Sequence, residues 1–482
     1  MALRSTSSNH VYLNGRTLEG GGQLVRIAIG LSALTGRPVS IDHVRANRQG
    51  KKGLKRTHAA AVKLLAEISD SKVSGGEVGS EYLNFFPQST KSKDGPLREL
   101  SQVSIKSEYN IKLTTAGAIF LVFETLYPYL LYAGSQAAAP FVKVNITGGT
   151  NATWSPSYDY AAQVIAPNFA KLGLPPLSIV LHKRGWTTGP VDLGEITFLV
   201  YTLASEHNPD GVHQPKGSSE RDRNRTAEAL CSFPRMNLMD HKRGKVTQID
   251  ITVLAPDQPI ISGDAEEGTG STVRQFIEKV TQRTLCLETR KLDQTIFGKY
   301  SPSSPLQEDT LGKSSAEDTP VPIRIHTSEV TYHRSHIYIL LVAHTSSGFK
   351  IGHDIICSDR LPRPKYKGKQ KHQPAHDPRR GSQNNLAFSA AADLVHRCVE
   401  GFIREISNES PNTQPDQKSP STSKRACLDA HMRDQVVVFE ALGKVCHPGE
   451  YETEATETLE DERDWTLHTK TAQWVCQQML GI

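Results

Sequence analysis

The stretch TLEGGGQLVRIAIGLSALTG, residues 17–36, places three consecutive glycines between a carboxylate and a run of helical pattern. Glycine weakens strands and helices alike, so three in a row mark a backbone that bends sharply or comes close to another group. Upstream, HVYLNG reads as a strand. Downstream, Leu24, Ile27, Leu31 and Leu34 recur at helical spacing, and Gly36 is placed to end the helix. The unit is therefore strand, glycine turn, helix. Backbone N–H groups at such a helix start can hold phosphate, with Arg26 one turn inside; a plain tight turn would use the same residues.

The alternation continues. PVSIDHV reads as a second strand, and Thr57 then precedes, and would cap, a helix whose Ala61, Leu64, Leu65 and Ile68 form one apolar face. FVKVNITGG is a strand running into another glycine turn, followed by a helix from about Tyr160 to Leu172. Further on, KVTQIDITVLA, STVRQFIEKVTQRTL and SHIYILLVAHTS supply strand, helix and strand, enough for a smaller domain. Such strand–helix units suit an α+β or α/β architecture, and the expected fold class is α+β.

Four stretches interrupt this pattern: 207–226, 301–319, 361–384 and 407–425, all rich in Pro, Ser, Gly and charge and short of residues to bury. They are expected to be exposed insertions. The third is strongly basic, which suits a solvated loop, an auxiliary RNA contact or a nuclear targeting signal.

Apolar content is 37% of 482 residues and the formal charge is +5, a balance that permits an acidic partner without requiring one. The seven cysteines are scattered and never form CxxC, as expected for reduced thiols in an intracellular protein without a zinc ribbon. The N-terminal MALRSTSSNH has no apolar core, so no secretory signal is expected. The most apolar run, GAIFLVFETLYPYLLYAG (117–134), carries Glu124 and Pro128 at its middle and is expected to be a buried core segment, not a membrane span.

Two familiar nucleotide signatures are missing. No GxxxxGK[ST] occurs, since GDAEEGTGST lacks the lysine, and the lysine-centred KxDG of nucleic acid ligases is absent. Other motifs carry chemistry. VRANRQGKKGLKRTH (44–58) concentrates Arg45, Arg48, Lys51, Lys52, Lys55 and Arg56 before a helix, where arginines can converge on phosphate oxygens. In HMRDQVVVFEALG (431–443), Asp434 and Gln435 would open an apolar helix. In DWTLHTKTA (464–472), His468 follows a strand-like run. Neutral imidazole can attack phosphorus and leave a phosphoramidate, although a lone histidine is more often structural.

In order, EGGGQ-x-x-R, R-x-x-R with G-L-x-x-x-H, TAG-x-I, GGTN-x-x-x-x-P-x-x-DY, DQ-x-x-x-F-x-AL and LHT-x-TA resemble RNA 3′-terminal phosphate cyclase, over roughly residues 10–200 and 385–475. The resemblance implies a large domain of three repeated helix-on-sheet units (10–200 and 346–482, the latter with insertions near 361–384 and 407–425) and a smaller inserted α/β domain at 201–345. It implies ATP-dependent conversion of an RNA 3′-phosphate into a 2′,3′-cyclic phosphate, with Mg²⁺ or Mn²⁺ neutralising the triphosphate. The family's nucleophile falls on His468. Its nucleotide contacts fall on Glu124, Pro156, His431, Asp434 and Gln435, and its acidic and basic pocket positions on Glu19, Arg26, Arg45 and Arg48, with Glu19 the candidate metal contact.

The sequence departs from the family pattern at four places. Thr57 and Glu124 stand where the family has glutamine, His431 stands where it has tyrosine, and the run WTTGPVDLGEI (186–196) is rebuilt. The competing reading is a non-catalytic relative that binds pre-ribosomal RNA in ribosome assembly; such relatives lack the histidine at 468. The expected partners are ATP and RNA with a 3′-phosphate end, with no membrane, and the expected compartment is the nucleus ahead of the cytoplasm.

Overall fold

The computed structural model describes residues 10–48, 50–88, 96–98, 105–136, 139–203, 232–259, 272–298, 319–357, 379–407, 426–451 and 466–482. Nearly all of the four hydrophilic stretches named above lies outside the described residues, as does Cys231.

The protein is a mixed α+β structure with three four-stranded sheets. The first contains β1 (Val11–Asn14), β2 (Val39–Asp42), β3 (Ser71–Ser74) and β4 (Tyr82–Pro87) in the order β1-β2-β4-β3. Its first pair is parallel and the others are antiparallel. The second contains β5 (Glu108–Lys112), β6 (Phe141–Gly148), β7 (Leu177–Lys183) and β8 (Gly194–Tyr201), and repeats both order and directions as β5-β6-β8-β7. Period-two burial explains the strands. In β1, Val11 and Leu13 face the core while Tyr12 and Asn14 face solvent; β6 buries every second residue.

Helices cover the core faces. In the first unit these are α1 (Gly22–Thr35) and α2 (Arg56–Ile68). In the second they are α3 (Ile119–Gln136) and α4, a continuous run of Tyr158–Tyr160, a π-turn at Ala161–Ile165, and Ala166–Lys171. Gly36 closes α1 in the left-handed conformation (φ 71°), as its position predicts. The apolar run 117–134 becomes α3, whose side chains are almost all buried in the main core. Among the described residues no helix is long and apolar enough to cross a membrane.

The third sheet contains β9 (Val246–Pro256), β10 (Ile323–Thr331), β11 (Tyr338–Thr345) and β12 (Lys350–Ile356) in the order β10-β9-β11-β12. Its directions again run parallel, antiparallel, antiparallel, but the chain enters at an interior strand. Two units are thus wired alike, and the third sheet shares their directional plan with different wiring. β9 is buried on both faces: Ile249, Ile251 and Val253 belong to a second core with α5 (Val273–Lys291) and α6 (Arg379–Ser407), while Leu254 joins the main core with Tyr338 and Leu340 of β11.

Two C-terminal helices, α7 (Ala430–Cys446) and α8 (Leu467–Leu480), pack against each other, and α8 lies on α1. This brings the C-terminal motif to the glycine turn: the Glu19 N–H donates to Thr471 Oγ1 at 3.2 Å.

Three helix starts differ from the sequence expectation. Lys55, not Thr57, is the N-cap of α2, and Thr57 sits inside the first turn against Gly117. Helix α7 begins at Ala430, because Asp429 caps it by accepting the Met432 N–H at 2.9 Å; Asp434 and Gln435 therefore lie one turn inside. The run before His468 is not a strand. Thr466 caps α8 by accepting the Thr469 N–H at 3.0 Å, so His468 stands in the helix's first turn.

Candidate active site

The glycine run acts as a close-approach surface. At Gly20 (φ 59°) a Cβ would sit 1.9 Å from the Gly15 carbonyl oxygen, and at Gly22 it would sit 2.2 Å from His58 Nε2. The first glycine lets the chain fold back on the end of β1, and the last admits a buried imidazole against the start of α1.

Around this turn the chain gathers Glu19, Gln23 and Arg26 from the turn and α1, Arg45, Arg48 and His58 from the basic loop and α2, and His468 from α8. Glu19 is 6% exposed. Its carboxylate contacts Arg48 Nη1 at 2.5 Å and His468 Nδ1 at 3.0 Å. Burial alone would raise its pKa, but the His468 hydrogen bond and the charges of His468, Arg48 and Arg26 hold it below the ordinary carboxylate value.

His468 Nδ1 also bonds Gln23 Oε1 at 2.9 Å. Since both neighbours of Nδ1 are acceptors, the proton resides on Nδ1 and the neutral ring carries its lone pair on Nε2. Its side chain is 44% exposed and sits at a helix N-terminus, where the backbone field favours incoming negative charge.

The basic loop is held in an uncommon conformation. Arg45 has φ 60° and is buried, its Nη1 donating to the carbonyls of Lys51 (3.0 Å) and Gly53 (3.3 Å). His43 and Leu18, at φ 55° and 52°, are also in the left-handed region, so this side of the site stores backbone strain of about 1–3 kcal/mol per residue. His58 lies behind it. Burial, followed by the charges of Arg26, Arg45, Lys55 and Arg48, lowers its pKa to about 3, which keeps the ring neutral.

A cleft opens beside these groups. Gln23, Arg26, Glu124, Asp434 and Gln435 supply its polar wall, and rings including Phe123, Tyr127 and Phe439 line the rest. Arg26 Nε lies 3.4 Å from Glu124 Oε2. Burial raises the Glu124 pKa, opposed by Arg26 and reinforced by Asp434. Asp434 is engaged as well, accepting from the Thr466 hydroxyl at 3.1 Å and from the Thr469 hydroxyl, which locks the start of α8 onto α7.

Of the residues expected from sequence, Glu19, Arg26, Arg48 and His468 are brought together, and Glu124, Asp434 and Gln435 share the adjoining cleft with Arg26. Arg45 joins them through the loop. Pro156 and His431 do not line that cleft. Pro156 is half-buried on the turn before α4. His431 is exposed at the start of α7, 6.2 Å from the Tyr160 ring and 6.5 Å from His353. Loss of solvation would lower its pKa, but Asp354, Asp429, Glu405 and Asp434 raise it overall. The rebuilt run 186–196 packs on the turn before β11, with Trp186 stacked on His336 at 4.7 Å.

Sequence reasoning assigned no role to Gln23 or His58. Both were within the quoted motifs, but only the fold shows which partner each amide or ring meets. Among the described residues no group of three or more His, Cys, Asp or Glu side chains converges as a metal site. Glu19 meets the Arg48 guanidinium on one oxygen and the His468 Nδ1–H on the other, so the residues present do not form a cation cage around it.

Comparison with known proteins places this arrangement in a family. A family model described as RNA 3′-terminal phosphate cyclase matches residues 17–482. The chain is similar to the RNA 3′-terminal phosphate cyclase of Koribacter versatilis, 36% identical over 189 residues, which is 39% of this chain and 47% of that protein. It is similar to those of Thermococcus sibiricus (35% over 173 residues, 36% of this chain and 43% of the relative) and Pyrobaculum aerophilum (38% over 175 residues, 36% and 44%). The matched stretch spans just under half of each relative's length.

Proposed function

The chain belongs to the RNA 3′-terminal phosphate cyclase family, and from that premise we propose that it converts RNA 3′-phosphate ends into 2′,3′-cyclic phosphates at the expense of ATP, through a histidine–AMP intermediate on His468. The observation that carries the reading is the state of His468: Nδ1–H is held by Gln23 and Glu19, leaving Nε2 as the nucleophilic atom in a half-exposed position beside a cluster of arginines.

In the first step, Nε2 attacks the α-phosphorus of ATP; an N–P bond forms and the P–O bond to diphosphate breaks. The charge that develops on Nδ1–H is met by the Glu19 carboxylate, which its surroundings keep ionised. AMP then passes to the RNA 3′-phosphate, and the neighbouring 2′-hydroxyl displaces AMP to close the ring. Arg26 and Arg48, with Lys51 and Lys52 of the basic loop, supply the charge that holds the two phosphates. Glu124, Asp434 and Gln435 border the nucleotide, and Pro156 and His431 flank its adenosine end. A divalent ion, Mg²⁺ or Mn²⁺, would arrive on the triphosphate itself.

The test is product formation. Purified protein with ATP should convert a 3′-phosphorylated oligoribonucleotide into the cyclic phosphate and leave its 3′-hydroxyl counterpart untouched. Specific binding of RNA with no cyclisation under any divalent ion would instead favour the assembly-factor reading.

A further inference from the structure

The face of the first sheet opposite α1 and α2 carries exposed rings. Tyr12 of β1 is 70% exposed, and on β4 Tyr82 is 53% and Phe86 37% exposed. Strand pairing puts them on one face. Tyr12 stands opposite Ser40, Ser40 opposite Asn84, and Asn84 opposite Ser74; Tyr82 and Phe86 flank Asn84 two residues to either side. A transverse chain of hydrogen bonds confirms the shared side: His10 to Ser40 at 2.9 Å, Ser40 to Asn84 at 2.6 Å, and Asn84 to Ser74 at 2.9 Å. His10 bridges two rings, stacked on Tyr12 at 4.4 Å and edge-on to Phe86 at 5.5 Å. Lys72 stands opposite Phe86 and is exposed.

This surface runs into the candidate phosphate site. The carboxyl ends of β1 and β2 lead directly to the glycine turn and the basic loop, and the Gly15 N–H donates to the Asp42 carbonyl at 2.7 Å. Tyr82 is the ring nearest that end. The two residues before it accept backbone hydrogen bonds from the basic loop, Glu81 from Val44 at 2.8 Å and Ser80 from Leu54 at 2.9 Å. Asp42, exposed on the same rung as Tyr82, is the acidic group at this junction. Rings interleaved with hydroxyl and amide groups, one lysine, and continuity with an arginine cluster are what a single-stranded polynucleotide needs: bases stack on rings, and polar groups meet the ribose and base edges.

We propose that this open sheet face is the track for the single-stranded RNA immediately 5′ of the reacting end, with bases stacked in turn on Tyr82, Tyr12 and Phe86. The proposal rests on the cyclase reading, because the RNA's 3′-phosphate anchors the strand at the arginines. It makes the enzyme selective for ends preceded by unpaired nucleotides, since a duplex cannot lay its bases on the rings.

The experiment compares 3′-phosphorylated oligoribonucleotides of about 3 and about 10 nucleotides, single-stranded or paired to the end with a complement, by fluorescence anisotropy and by cyclisation. The single-stranded longer RNA should bind more tightly than the short one or the duplex. Tyr12→Leu and Tyr82→Leu should each erase about tenfold of that advantage, whereas Tyr12→Phe and Tyr82→Phe retain it, because the ring and not apolar bulk is required. Thermal unfolding of the Leu variants at the wild-type temperature shows that the sheet is intact. Wild-type protein that cyclises short and long, paired and unpaired RNA equally would overturn the track and leave the cyclase reading standing. Absence of cyclisation on every RNA would defeat the cyclase reading instead. Leu variants that keep the full length advantage, or lose only binding to a protein partner, would also overturn the track.

Discussion

Two buried clusters of charged groups handle charge in opposite ways. Between α1 and α2, Arg26, Arg45, Arg48 and Lys55 surround His58 and leave it neutral, with a pKa of about 3 after burial and those charges have acted. Where α4, the third sheet, α6 and α7 meet, the carboxylates dominate. Burial, then the charge of Asp429, brings Glu405 to about 7; burial also raises Asp354, and Asp354, Asp429 and Glu405 together lift His431. The acidic pocket is nevertheless satisfied from within. Asp429 accepts from the Tyr160 hydroxyl at 2.5 Å, the Gly352 N–H at 2.8 Å and the Met432 N–H at 2.9 Å, while Tyr338 donates to Asp354 at 2.8 Å. Among the described residues, the carboxylates that pair with the cationic pocket are Glu19, with Arg48, and Glu124, with Arg26. One pocket is a seam between elements of the fold, and the other is a charge arrangement that phosphate would complete.

The sharpest break in this contrast comes from the turn that supports the cationic side. Gly22→Ala places a methyl group 2.2 Å from Nε2 of the buried His58 ring, so the ring or the start of α1 must shift. The expected cost is about 1–3 kcal/mol of stability, read by denaturant unfolding, together with loss of AMP uptake. A variant as stable and as active as wild type would mean that His58 is not fixed there.

Acid and base titrations of stability separate the two pockets. His58 has a folded pKa far below its unfolded value, so the unfolded chain takes up a proton that the pocket refuses. Stability therefore falls as pH drops from about 6.5 towards 3, at up to about 1.4 kcal/mol per pH unit, and His58→Gln should flatten that limb. Glu405 has a folded pKa above its unfolded value, so the folded state holds the extra proton. Its contribution is full below about 4.5 and is lost as pH rises through about 7, a drift that Glu405→Gln should remove. Both limbs flattening with either single variant would show that the pockets titrate together.

The smallest effect concerns Glu124. A charge about 4 Å from another at an effective dielectric near 20 interacts by roughly 4 kcal/mol, but burial already favours the neutral carboxyl, which limits the repulsion of a triphosphate. Glu124→Gln should raise AMP uptake by no more than about tenfold, measured as initial labelling rate. A fall in uptake would mean that the Arg26–Glu124 contact positions the nucleotide.

Much of this was legible in the sequence because period and punctuation carry it. The β1–α1 unit, the Gly36 stop and the burial of α3 follow from residue spacing and one glycine. The ordered motifs named the residues that meet at Glu19. The helix starts were not legible, because Asp429, Thr466 and Lys55 won the capping positions over equally plausible neighbours. The third sheet's wiring was hidden as well: β9 is buried on both faces although Gln248, Asp250 and Thr252 alternate with Ile249, Ile251 and Val253, and such a pattern does not tell which strands will flank it. The pairing of His468 with Gln23 needed the packing of α8 on α1, which no local pattern encodes.

The central claim is that His468 carries AMP through Nε2. Protein incubated with α-labelled ATP and a divalent ion should acquire label that is acid-labile and alkali-stable, as a phosphoramidate is, and that maps by peptide mass to the His468 segment. His468→Asn, similar in bulk, should take up none. Label that persists in His468→Asn, or that shows the alkali lability of an acyl phosphate on a carboxylate, would contradict the account.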